Sequence, residues 1–151
     1  KKNKFQLHPT ASTDKLMTNK PICHAVSVVI QNNKNETLFA LRSPKSTSYP
    51  LAWSLPSHYV EENESHQETV KRIGKNKLGV DLEIGELLNE GKSDRGDLEL
   101  FMHDYLATVK SGEPGIVSDN YTELKWSEPK SQLKSMKIMG DCCRLYKEYL
   151  G

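Results

Sequence analysis

A single helix with both of its ends written into the sequence constrains this chain more than any other feature. Ser65 and Glu68 form a capping-box pair, in which the serine hydroxyl accepts the Glu68 amide proton and the carboxylate accepts the Ser65 amide in return. Val70, Gly74 and Leu78 then recur at helical spacing and form one stripe facing a core. Gly79 supplies the stop, since glycine enters the left-handed conformation that closes a helix at little cost. The predicted helix is therefore Ser65–Leu78. Gly74 inside it costs about 1 kcal/mol relative to Ala, which points to close packing or to relaxed selection there.

Strands surround this helix. Cys23–Gln31 is rich in β-branched residues and reads as a buried strand. Asn32-Asn33-Lys34-Asn35 is a turn signal, and Thr37–Arg42 reads as the returning strand of a hairpin. Ser43–Pro50 is a loop, and Ala52–Pro56 is a short apolar piece. Asp81–Glu90, Leu98–Val109 and Tyr121–Trp126 read as further strands. A short helix is expected from Pro129 and a C-terminal helix over Gly140–Leu150. Residues 1–21 read as a flexible lead-in with at most a short strand around Phe5–Leu7, and residues 22–151 as one domain. Mixed strands with helices of unequal role predict an α/β sheet-and-helix sandwich.

Composition narrows the partners. The 151 residues suffice for one proper core, and a net charge of +1 gives no global field for nucleic acid or a membrane surface. No apolar run is long enough to span a membrane. Lys1-Lys2-Asn3-Lys4 is followed by no apolar stretch, so a signal peptide is not expected. The three cysteines, Cys23, Cys142 and Cys143, are odd in number and two are adjacent. They read as free thiols in a reducing compartment, and a cytoplasmic location is expected.

Residues 58–80 resemble a Nudix box, G-x5-E-x7-R-E-U-x-E-E-x-G-U, in which U is apolar. Glu64, Arg72, Gly79 and Val80 fall on its fixed positions. Ile73, Asn76 and Lys77 stand where three carboxylates belong, and His58 stands where the opening glycine belongs, so the box is degenerate. Ala25–Ile30, Leu38–Arg42, Trp53-Ser54-Leu55-Pro56, the box and Glu123-Leu124-Lys125-Trp126 follow the order of the Nudix (MutT-like) hydrolase superfamily over about residues 22–150. The resemblance implies an α/β/α sandwich with a mixed β-sheet and a loop–helix–loop at the box. It also implies pyrophosphohydrolase chemistry, with helix glutamates holding Mg²⁺ or Mn²⁺ against a pyrophosphate.

The replacements argue against that chemistry. Positions 73, 76 and 77 are spaced to share a helix face. Ile73 cannot ligate, Asn76 offers one neutral oxygen, and Lys77 repels a cation. Relative to three carboxylates, the local charge changes by about four units. No metal is expected, with Glu64, Glu68 and Asn76 as residual metal candidates. Glu64 is either such a ligand or the acidic partner of Arg72, which in the family braces loop against helix. Glu68 is a cap or a ligand. His58 is a base, a ligand or a loop histidine filling the site. Asp94, Asp97 and Glu99 supply a base or ligand, or form a solvated hairpin end. Trp53 and the Tyr49 loop offer a stacking surface, or Trp53 packs in the core.

Three functions follow. In the first, the chain is a weak or inactive pyrophosphohydrolase that binds a nucleotide or nucleoside-diphosphate-linked ligand, with Arg72, Lys75, Lys77 and Glu61 as binding candidates and ammonium standing where metal stood. In the second, it is an active metal-dependent hydrolase with rerouted ligands Glu61, Glu64 and Glu68, using Mg²⁺ or Mn²⁺. In the third, it is an RNA- or protein-interaction module, to which the near-neutral charge lends no support beyond a local patch of Lys71, Lys75 and Lys77. The resemblance also makes a homodimer an expectation.

Overall fold

The structure, a computed structural model, describes residues 20–47 and 49–128. In chain order the elements are β1 (Ile22–Ile30), β2 (Thr37–Arg42), β3 (Trp53–Ser54), β4 (Ser57–Tyr59), α1 (His66–Ile73), a π-helical turn (Gly74–Leu78), β5 (Asp81–Asp94), β6 (Glu99–Ser111) and β7 (Tyr121–Ser127). They build a four-stranded sheet in the order β4-β1-β6-β5 and a three-stranded sheet in the order β3-β2-β7. The larger sheet is mixed: β1 runs parallel to β6, while β4 and β5 pair antiparallel to their neighbours. The α/β architecture is the one expected.

β1 is buried along almost its whole length because both of its faces are covered. On one face Val26, Val28 and Ile30 pack with Leu38, Val70, Ile73, Leu78 and Leu82, so α1 lies here. On the other, Cys23 and Ala25 meet Leu100. Cys23 is buried and, among the described residues, in no disulfide. Trp53 belongs to the core, with 9% of its surface exposed.

Four expectations need correction. β1 and β2 do not form a hairpin ladder. One bridge, Gln31↔Thr37, links them, and β2 then leaves to pair with β3 and β7 in the other sheet. The segment after Pro56, read as loop, holds β4, which pairs with β1. β5 continues to Asp94 rather than ending near Glu90, since it keeps pairing with β6 through three irregularities in register. The helix does not stay α-helical to Leu78; its last turn widens into the π form from Gly74. A Cβ at Gly74 would stand 2.7 Å from Cγ of Leu82 and 2.8 Å from the Val80 carbonyl oxygen, so close packing explains this glycine. Gly79 does close the helix, at φ 71° with its N–H on the Gly74 carbonyl. Phe5–Leu7, the helices expected from Pro129 and over Gly140–Leu150, and Cys142 and Cys143 lie outside the described residues. Among the described residues no helix is long and apolar enough to cross a membrane.

Candidate functional site

The loop between β4 and α1 turns on Asn63, which takes the left-handed conformation at φ 63° that Asn tolerates. The turn aims Glu64 back at the helix. There its carboxylate accepts from the Arg72 Nε at 2.8 Å and Nη2 at 2.9 Å, from the Thr69 hydroxyl at 2.8 Å, and from the Glu61 amide at 2.9 Å. Burial by itself would raise the pKa of Glu64, but the hydrogen bonds from Arg72, the Glu61 amide and Thr69 outweigh it and bring it to about 2. Arg72 also donates to the Tyr59 carbonyl at 2.8 Å and lies 3.8 Å from Glu61, and its hydrogen bond to Glu64 raises its own pKa. One guanidinium thus ties loop, strand and helix together. The capping box forms in both directions, with Glu68 accepting the Ser65 amide at 2.9 Å.

Ile73, Asn76 and Lys77 differ in burial. Ile73 is fully buried in the core, whereas Asn76 is exposed. Lys77 reaches inward, and its Nζ donates to the Ser57 carbonyl at 2.9 Å and lies 5.1 Å above the Tyr121 ring. The Tyr121 hydroxyl accepts the Ser57 amide at 3.0 Å. The Ser57 backbone is therefore held at its N–H by β7 and at its carbonyl by the helix. A divalent ion does not fit this set: one position is apolar core, one is an ammonium, and Glu64 already accepts four hydrogen bonds. Among the described residues no three His, Cys, Asp or Glu side chains converge as a metal site.

Beside Lys77 a cavity of about 270 Å³ opens where β1, β4 and β6 meet the ends of β2 and β5. Ala25, Leu100 and Met102 contribute apolar walls; Ser57, His58, Tyr59 and Asn120 are polar; Arg42, Lys77 and Arg95 bring positive charge. No carboxylate is among the described lining residues. Arg42 donates to the Ser46 hydroxyl at 2.9 Å. Arg95 donates to Ser93 at 2.8 Å, and its guanidinium lies 5.5 Å from the Tyr49 ring centre. Burial raises the pKa of the Tyr59 phenol, as does Cys23, while the charges of Arg95 and Arg42 oppose the rise.

The structure distributes the sequence candidates unevenly. Lys77 and His58 line the cavity. Arg72 is engaged with Glu64, and Lys75 lines a separate open depression with Lys71, Val80 and Asp81. Asp94, Asp97 and Glu99 stand at the β5–β6 hairpin end, where Asp94 pairs with Lys20 at 2.7 Å. Sequence reading missed Arg42, Arg95 and Asn120. Arg42 gave no signal beyond ending a strand. Arg95 lay between two acids that drew the attention instead.

The NUDIX domain profile matches residues 22–137. No curated protein matches the sequence. Among solved structures, the MutT protein from Methanosarcina mazei Go1 is 21% identical, with a TM-score of 0.76, 85% of this chain covered and 92% of that one. A MutT NUDIX hydrolase from Burkholderia pseudomallei is also 21% identical, with a TM-score of 0.74 and coverage of 86% and 99%. The NUDIX domain of Shewanella oneidensis NrtR, solved with ADP ribose, is 18% identical, with a TM-score of 0.68 and coverage of 93% and 96%. Because the family profile spans most of the chain, this protein belongs to the NUDIX family.

Proposed function

We propose that this protein binds a nucleotide or nucleoside-diphosphate-linked ligand through its own cations, with little or no pyrophosphohydrolase activity. One observation carries the reading: the Lys77 ammonium sits on the Ser57 carbonyl at the wall of a cavity that also presents Arg42 and Arg95. Guanidinium and ammonium groups suit phosphate oxygens by charge and by hydrogen bonding, and need no bridging metal. Arg72 and Glu61 act as scaffold in this reading, and Lys75 lies outside the cleft. The NrtR domain similar in fold was solved with ADP ribose, which favours a ligand of that class.

Under this reading binding needs no chemistry from the cleft. Arg42 and Arg95 orient the phosphates, Lys77 neutralises them against β4, and Tyr59 with Met102 forms the floor. The alternative, a hydrolase using Glu61, Glu64 and Glu68 as ligands, asks Glu64 to release four hydrogen bonds and Glu68 to leave its cap. Turnover assays with Mg²⁺ and with Mn²⁺ on ADP-ribose, nucleoside triphosphates and dinucleoside polyphosphates separate the two. The expected result is no turnover above that of the free metal ion. Robust turnover, abolished in Glu64→Gln or Glu68→Gln, overturns the proposal.

A further inference from the structure

The loop between β2 and β3 holds backbone that its side chains disfavour. Tyr49 stands at φ 49° and Leu51 at φ 60°, with Pro50 between them. In the left-handed region the Cβ of an ordinary residue crowds the following carbonyl oxygen, and neither residue has the short polar side chain that eases this for Asn. Both side chains are also left in solvent, Tyr49 at 38% exposure and Leu51 at 55%. A lone exposed aromatic on a relaxed loop calls for no explanation. Backbone of this kind persists only where its surroundings hold it, and it collects at ligand sites.

The surroundings do hold it, and they are the walls of the cleft. The Arg42 amide donates to the Ala52 carbonyl at 2.9 Å, the Arg42 carbonyl accepts the Leu51 amide at 3.1 Å, and the Ala52 amide donates to the Tyr49 carbonyl at 3.3 Å. The Arg42 guanidinium reaches into the same loop at Ser46. From the opposite side comes Arg95, set by the β5–β6 turn. Its amide donates to the Leu98 carbonyl at 2.9 Å and its Nε to the Ser93 hydroxyl at 2.8 Å. Its guanidinium then lies over the Tyr49 ring, 5.5 Å from the centre. Arg42 and Arg95 both line the cleft, so the ring is joined through an arginine to the positive wall.

We propose, on the reading of the cleft as a phosphate site, that Tyr49 is its nucleobase platform. The phosphates meet Arg42, Lys77 and Arg95, and the base stacks on the part of the Tyr49 ring that Arg95 leaves uncovered. Stacking on an aromatic ring uses the flat face that every base has, so it recognises the presence of a base more than its identity. Ring and guanidinium are in place before the ligand arrives, which removes part of the ordering cost of binding. The consequence is selectivity by class. A nucleoside-linked diphosphate gains a contact that a plain diphosphate cannot make.

The test is calorimetric titration of the whole chain in EDTA with ADP-ribose and with inorganic pyrophosphate, which lacks a base. In Tyr49→Leu the affinity for ADP-ribose should fall by about tenfold, the lower end of what a base–aromatic stack contributes, while that for pyrophosphate is unchanged. Tyr49→Trp should keep the ADP-ribose affinity. ADP-ribose binding that needs Lys77 but not Tyr49 overturns the proposal alone. So does an equal loss for both ligands in Tyr49→Leu, which would make Tyr49 a support for Arg95. No binding of either ligand to the unmodified protein overturns the phosphate reading and this proposal with it. If Tyr49→Leu does not fold, Tyr49→Trp decides: ADP-ribose, and not pyrophosphate, should quench its emission beyond any change in the unmodified protein. An equal response to the two ligands refutes the stack.

Discussion

The two sides of the box helix differ in how they are closed. On the side of Glu64 and Arg72 every strong group turns inward: loop amide, threonine hydroxyl, guanidinium and strand carbonyl complete one another. On the side of Lys77 the helix turns toward the cleft, where its ammonium meets the Ser57 carbonyl and the Tyr121 ring in a pocket also lined by two arginines. The first is a brace, whose value is geometric and independent of any ligand. The second is a positively charged surface, built from Arg42, Lys77 and Arg95.

The largest effect expected comes from restoring family carboxylates one at a time. Ile73→Glu buries an unpaired acid in the core and should cost about 4 kcal/mol or more in urea unfolding. Asn76→Glu, three residues on and exposed, should change stability by less than about 0.5 kcal/mol. Equal effects would mean that Ile73 does not occupy the core. Next comes the brace. Glu64→Gln replaces a charged acceptor by a neutral amide and should lower stability by about 2 kcal/mol.

The same pair predicts a pH slope. Glu64 has its folded pKa lowered from 4.5 to about 2, so its contribution is complete above pH 4.5 and is lost as pH falls from there toward 2. Denaturant midpoints should drop over that window in the unmodified protein, and less steeply in Glu64→Gln. An identical slope in both would remove Glu64 as the source. Smaller again is Gly74→Ala. Helix propensity favours Ala by about 1 kcal/mol, but the new methyl overlaps Leu82 and the Val80 carbonyl, so a net loss of about 1–2 kcal/mol is expected. A net gain would show that the π turn relaxes freely.

The brace was legible in the sequence because it is local. Ser65 with Glu68 is a capping pattern wherever it occurs, and Glu64 with Arg72 falls on fixed family spacing. Gly79 announced the helix end through the conformation it alone adopts cheaply. The cleft was not legible, because its residues are distant in sequence and joined by strand pairing. Arg42 closes β2, Arg95 sits past β5, and Asn120 precedes β7. Nothing periodic connects them. The burial of Ile73 was not legible either, since Asn76, three residues on along the same helix, is exposed.

The claim that protein cations have taken the place of metal is tested most directly by calorimetric titration of the protein with ADP-ribose, once in EDTA and once in Mg²⁺. The account predicts the same affinity in both buffers, and a loss of at least about tenfold, or 1.4 kcal/mol, in Lys77→Met in either. Binding that appears only with Mg²⁺, or that Lys77→Met leaves unchanged, would contradict it.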